Sequence, residues 1–156
     1  MKAVLLAILL CAGASSSGTA WAASSASSTE QQLRQLMNEM VEAANAHDTD
    51  RFMALYERSP TLLLTFDDQT LVGWQAVRDQ QLQWWNNGTS DAVYRLRTEP
   101  KITIISPDVA ATVQSLEVAA TGPDGKKGTV KVVATSIWKK RPEGWRIVLA
   151  HESLLN

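Results

Sequence analysis

The stretch Gly144-Trp145-Arg146-Ile147-Val148-Leu149-Ala150-His151-Glu152-Ser153, close to the C-terminus, decides the fold. It follows Arg141-Pro142-Glu143-Gly144, a run of turn-forming residues, and is rich in aromatic and β-branched side chains, so it reads as a strand entered from a tight turn. Side chains alternate along a regular strand. Trp145, Ile147, Leu149 and His151 would then share one face. Three of the four are apolar, which turns that face toward a core and places His151 on the inward side near the strand's end.

Four more β-rich segments precede it: residues 92–99, 101–105, 109–121 and 128–140. Turn chemistry separates them at Ser106-Pro107-Asp108 and Gly122-Pro123-Asp124-Gly125, while Pro100 either divides two strands or kinks a bent one. Three helices are predicted before them. Leu33, Leu36, Met37, Met40, Val41 and Ala44 recur at spacings of three and four, an apolar stripe on a helix capped by Ser28 or Thr29. Asp48 or Thr49 caps a second helix through Arg58, ended by Pro60. A short hairpin over residues 61–72, turning at Asp67-Asp68, leads to Gly73 and a third helix, Trp74 to Trp85, stopped by Asn86-Asn87-Gly88. Helices followed by a meander of strands make an α+β fold: a curved antiparallel sheet wrapped around three N-terminal helices, a cone with a mouth in which a pocket can form.

The chain has 156 residues, enough for one domain. Its formal net charge is −1 with no clustered basic face, which argues against nucleic acid as a partner. Lys2, the apolar run Ala3–Ala12 and the small-x-small triplet Ala20-Trp21-Ala22 read as a signal peptide, cut after Ala22 or, as the second option, after Ala14. The domain division expected is therefore residues 1–22 as signal peptide, 23–28 as a flexible Ala/Ser leader and 29–156 as the folded domain, periplasmic or secreted. The apolar run is too short to anchor the product in a membrane. Cys11 is the only cysteine and follows Leu10, a poor context for lipidation; the processed chain would carry no cysteine and hence no disulfide.

Several landmarks carry a family resemblance: Ala44-Asn45-Ala46-His47-Asp48, Phe52-Met53-Ala54-Leu55-Tyr56, Val72-Gly73-Trp74, Ile104-Ile105-Ser106-Pro107-Asp108-Val109-Ala110, Trp138-Lys139-Lys140, and Gly144-Trp145-Arg146-Ile147-Val148 leading to His151 and Ser153. In this order the chain resembles the SnoaL-like domains of the nuclear transport factor 2-like superfamily, from about Glu30 to Ser153. The resemblance implies a cystatin-like α+β roll. It does not imply one activity, because that superfamily holds enzymes, binding modules and assembly domains. His151 matches a recurrent position, but Leu149-Ala150 stand where the family often has His-Asp. Ketosteroid isomerases carry Asp-Pro-Val-Gly where this chain has Thr70-Leu71-Val72-Gly73, so their base is absent.

Three readings of function follow. The first is a domain that binds a small, largely apolar molecule in the cone, lined by Phe52, Tyr56, Trp74, Trp85, Thr135 and Leu149. The second is a lyase, isomerase or hydrolase with His151 as general base, aided by Tyr56 or Thr135; alternatively His151 is satisfied by a backbone carbonyl or a threonine. The third is an assembly module that forms a homodimer through the outer sheet face, where Trp138 would lie if its strand is regular. Trp84 and Trp85 are about 100° apart on a helix, so one of them should meet a pocket, a partner or solvent. Asp67 and Asp68 read as turn residues, Glu117 as solvated or interfacial, and Glu152, opposite His151 on its strand, as exposed. No cofactor motif occurs, and His47 and His151 stand at no metal-ligand spacing.

Overall fold

A computed structural model describes residues 17–122 and 124–155, with side chains from residue 28 onward. The apolar run expected to belong to a signal peptide, and Cys11, lie outside the described residues. Helix α1 spans Ser17–Asn45, α2 Thr49–Met53 and α3 Trp74–Trp84. The strands are β1 Leu63–Phe66, β2 Gln69–Val72, β3 Val93–Leu96, β4 Lys101–Ser106, β5 Val109–Thr121, β6 Lys127–Arg141 and β7 Gly144–Leu155. No helix among the described residues is long and apolar enough to cross a membrane.

Helix α1 starts well before the cap expected at Ser28 or Thr29 and runs through the segment 23–28 expected as a leader. Alanine is the strongest helix former and no proline interrupts the segment, so nothing local stops the helix there. Leu33, Met37, Met40, Ala43 and Ala44 form its buried stripe. Helix α2 is capped by Asp48, whose carboxylate accepts from Arg51 N at 3.0 Å. It ends at Met53 rather than Arg58. The next residues leave it to dock on β7: Glu57 N donates to Ile147 O at 2.8 Å and Ile147 N donates to Leu55 O at 2.9 Å.

The strands form one sheet in the order β2-β1-β7-β6-β5-β3, with β4 also paired to β5. Both β3 and β4 lie along β5, one on each half, so Pro100 marks the bend of a single ribbon. The pairings are antiparallel except β1 with β7, which is parallel. Asp67 turns the β1–β2 hairpin with φ +50°, and its carboxylate accepts from Leu154 N at 3.3 Å. The helices cover one face of the sheet, and the core between them includes Leu33, Met37, Met53, Leu64, Trp138 and Ile147.

One irregularity sets the face of every later residue in β7. Against β6, Leu149 pairs with Ile137 but Ile147 pairs with Trp138, which leaves Val148 with no residue opposite. This is a β-bulge, and an extra residue reverses the alternation that follows it. Trp145 and Ile147 point into the core; beyond the bulge Ala150 is buried while Leu149 and His151 are exposed. The regular alternation expected for this strand therefore fails after Ile147. The neighbouring strand has no such break: Val132, Ala134, Ser136 and Trp138 of β6 face inward in regular alternation, Trp138 opposite the inward Ile147. Trp138, expected on the outer face, is 1% exposed, and its indole N–H donates to Thr112 Oγ1 at 2.9 Å.

Candidate functional site

A cavity of about 80 Å³ opens between the helices and the inner face of the sheet. Met40, Val41 and Ala44 of α1 form one wall, Phe52 of α2 a corner, and Gln81, Trp84 and Trp85 at the end of α3 another wall. Tyr94 of β3 closes one side, and the sheet contributes Gln114, Leu116, Val118, Val132, Ala134 and Glu152. The end of α3 is held by residues that accept positive φ, Asn86 at +47° and Asn87 at +51°, so the chain turns sharply and Trp85 folds back inside. Trp85 stands edge-on to Phe52 at 5.1 Å, and its indole N–H donates to Tyr94 Oη at 2.8 Å. Trp84 packs on Phe66 at 5.0 Å. Both tryptophans border the cavity, Trp85 fully buried and Trp84 partly exposed.

Tyr94 is fixed at its backbone. Asn45 at the end of α1 accepts from Tyr94 N at 2.8 Å and donates to Tyr94 O at 3.0 Å. His47 Nε2 meets Ala92 O at 2.9 Å in the same joint. These contacts hold β3 against α1 and set the width of the cavity.

Glu152 is the ionisable group of this site. It follows the bulge by an even step, so it faces inward, and no hydrogen bond or ion pair to its carboxyl is found among the described residues. Burial among apolar side chains raises its pKa to about 7. Burial also raises the Tyr94 hydroxyl, against the lowering effect of the Trp85 indole, and the charge of Glu152 adds to the rise. Tyr56 is raised further, first by burial and then by Glu152. Both phenols therefore stay neutral where Glu152 titrates. A carboxyl poised near neutrality can donate a proton to a bound ligand or remove one from it.

The residues expected to line this site divide. Phe52 and Trp85 line it. Tyr56 is buried behind Phe52, with ring centroids 5.5 Å apart. Trp74 lies two helical turns from Gln81, about 10 Å along α3, and borders a shallow groove with Pro60 and Gly73 instead. Its indole donates to Met53 O at 3.2 Å under the Arg58 guanidinium. His151 and Leu149 are on the outer face because the bulge reverses β7, and Thr135 is there because β6 alternates without a break, with Ala134 and Ser136 inward. His151 is exposed, paired in register with Thr65 and Thr135, and its Nδ1 meets Thr65 Oγ1 at 2.6 Å. This is the threonine-satisfied alternative, and it removes His151 from the cavity. Glu117 also faces outward, in register with Arg95 and Lys131. Among the described residues no group of three or more His, Cys, Asp and Glu side chains could hold a metal.

Glu152, Gln114, Gln81 and Tyr94 are the polar groups that the sequence did not assign to the site. The signal available for Glu152 was the unbroken apolar run Ile147-Val148-Leu149-Ala150, which has no alternation and so allows the phase to slip.

No curated protein matches the chain by sequence. Solved structures do match in fold. A nuclear transport factor 2-like protein with a cystatin-like fold from Novosphingobium aromaticivorans is 17% identical, with 90% of this chain and 92% of that one covered and a TM-score of 0.73. A nuclear transport factor 2-like superfamily protein from Salmonella enterica serovar Typhimurium is 22% identical over 84% and 94% of the two chains, TM-score 0.70. The association domain of the C. elegans kinase CaMKII is 15% identical over 81% and 96%, TM-score 0.65. The family model for the SnoaL-like domain matches residues 33–156, most of the sequence, from the C-terminal part of α1 through β7, and on that match this chain belongs to the SnoaL-like domain family.

Proposed function

We propose that this protein binds a small, largely apolar molecule in the cone between its helices and its sheet, and does so after export and removal of the N-terminal segment. The observation that carries the reading is the Glu152 carboxyl, which has no protein partner in a cavity walled by Phe52, Trp84, Trp85 and Tyr94. The carboxyl is half-buried, and a ligand that covers it while supplying a partner avoids leaving it desolvated and unpaired. The cavity is about half of the roughly 150 Å³ that admits benzene, so the part of the ligand that enters is small. Native mass spectrometry of protein purified from its own periplasm tests this. A retained small molecule, lost on Ala134→Leu, is the expected result. Protein that carries nothing, and whose Trp84 and Trp85 fluorescence responds to no small apolar compound, would refute it. The intact mass of the same sample reports whether the chain begins after Ala22.

Glu152 supports a second reading, general acid–base catalysis on the bound molecule, with this carboxyl in the role expected of His151. A homodimer through the outer sheet face is compatible with both. Val113 and Leu149 support it, being 39% and 37% exposed on that face, as does the fold shared with an association domain.

A further inference from the structure

Cross-strand register aligns three residues in one row over the inner face of the sheet. Gln114 of β5 pairs with Ala134 of β6, and Ala134 pairs with Glu152 of β7. The outer two are separated by two strand spacings, about 10 Å between Cα atoms. Both carry long polar side chains and line the cavity, whereas the residue between them ends at a methyl group. Ala134 is therefore the floor of a gap, and the heads of Gln114 and Glu152 are its two sides.

Both heads lack protein partners. The Gln114 side chain belongs to a residue only 4% exposed, and its Nε2 is buried with no acceptor. The half-buried carboxyl of Glu152 has no hydrogen bond or ion pair among the described residues. A primary amide nitrogen can only donate. A carboxylic acid in its neutral form donates as well. No cationic side chain lines the cavity: α1 contributes Met40, Val41 and Ala44, α3 contributes Gln81 and two tryptophans, and β5 and β6 add Leu116, Val118 and Val132. The titratable groups coupled to Glu152 are Tyr56 and Tyr94, both neutral in its range. With no cation to stabilise a carboxylate, the free protein presents two donors across a methyl floor.

We propose that Gln114 and Glu152 form a two-donor clamp, with Ala134 as its floor, for the oxygen of a neutral carbonyl compound such as a ketone, ester or amide. The inference rests on the pocket reading above and names the chemical class that the pocket selects. An oxygen with two lone pairs accepts from both heads at once, and the adjoining carbon skeleton lies against Phe52, Trp84 and Trp85. A cationic amine would satisfy Glu152 only as a carboxylate and would leave the Gln114 nitrogen without an acceptor. A hydrocarbon would leave both heads unpartnered.

The test compares cyclopentanone, cyclopentylammonium and cyclopentene as probes, read by tryptophan fluorescence and by ligand-observed NMR. Cyclopentanone should bind best at about pH 5.5. At about pH 8.5 its affinity should fall by roughly tenfold or more, because the competent, protonated form is then a small fraction of the population. Glu152→Gln should retain cyclopentanone binding and flatten the pH profile, since its amide still donates. Gln114→Met should weaken the ketone about tenfold, the size of one lost hydrogen bond, and leave cyclopentene unaffected. Preference for cyclopentylammonium, with binding abolished by Glu152→Gln, would overturn the clamp and make Glu152 a counter-ion. Equal binding of ketone and alkene, indifferent to both substitutions, would also overturn it while leaving the apolar pocket intact. Failure of every probe to bind would refute the pocket and the clamp together. The wild-type pH profile needs no variant to fold.

Discussion

Replacing Glu152 by glutamine should make the protein more stable, and only above a definite pH. The carboxyl has its ordinary pKa of 4.5 in the unfolded chain and about 7 in the folded one. Below the first value both states hold the proton and the group contributes no pH dependence. Between the two values the folded state is protonated and the unfolded state is not. Stability is then lost as pH rises, at about 1.4 kcal/mol per pH unit. Above the second value both states are ionised and the loss is complete, on the order of 3 kcal/mol in total. Glutamine is nearly isosteric and does not titrate. The difference in unfolding free energy, variant minus wild type, should therefore rise between about pH 4.5 and about pH 7 by roughly 3 kcal/mol and then level off. Asp91 and Asp108, whose carboxyls are lowered by hydrogen bonds from Thr121 and Ser106, titrate alike in both proteins and cancel. Urea unfolding followed by tryptophan fluorescence, across that pH range, measures the difference directly. A difference that does not change with pH would show that Glu152 titrates normally, and the account of an unpartnered inward carboxyl would be wrong.

Other parts of the structure give independent expectations. Thr112→Val removes the acceptor of the buried Trp138 indole and should cost about 1–3 kcal/mol in urea unfolding. Gly73→Ala places a Cβ at φ +91°, 3.4 Å from Pro60 O, and should cost about 1–3 kcal/mol with a lower Tm. Leu149→Asp on the outer face should convert a dimer to monomer in analytical ultracentrifugation while leaving the unfolding curve of the monomer nearly unchanged; an unaltered sedimentation profile would exclude that face as the interface.

The elements themselves were largely legible in the sequence, because they rest on short-range signals. The apolar stripe of α1, the turn at Asp67-Asp68, the stop at Asn86-Asn87-Gly88 and the hairpin at Pro142-Glu143-Gly144 each identify a local conformation that the structure contains. The length of α1 was not legible, since Ala and Ser residues suit a helix and a leader equally well. The site was less legible than the fold. Phe52 and Trp85 could be assigned because bulky aromatics on helices that face a sheet are buried whatever the details. The sheet's contribution depends instead on phase, and phase depends on whether Val148 is counted in the alternation. Glu152, Ala134 and Gln114 become neighbours only through a register that crosses three strands, from β5 through β6 to β7. No pattern within any one of those segments states it.

The unpaired residue at Val148 also works like a reading frame. Upstream of it, odd-numbered positions of β7 belong to the interior; downstream, even-numbered ones do. Deleting Val148 would leave both populations where they are, since Leu149 would then follow Ile147 in unbroken alternation; straightening the strand with Val148 kept in the pairing would exchange them, bringing His151 inside and putting Glu152 outside with no residue type changed. In this architecture an imidazole and a carboxyl are thus alternative occupants of one cavity, one bulge apart.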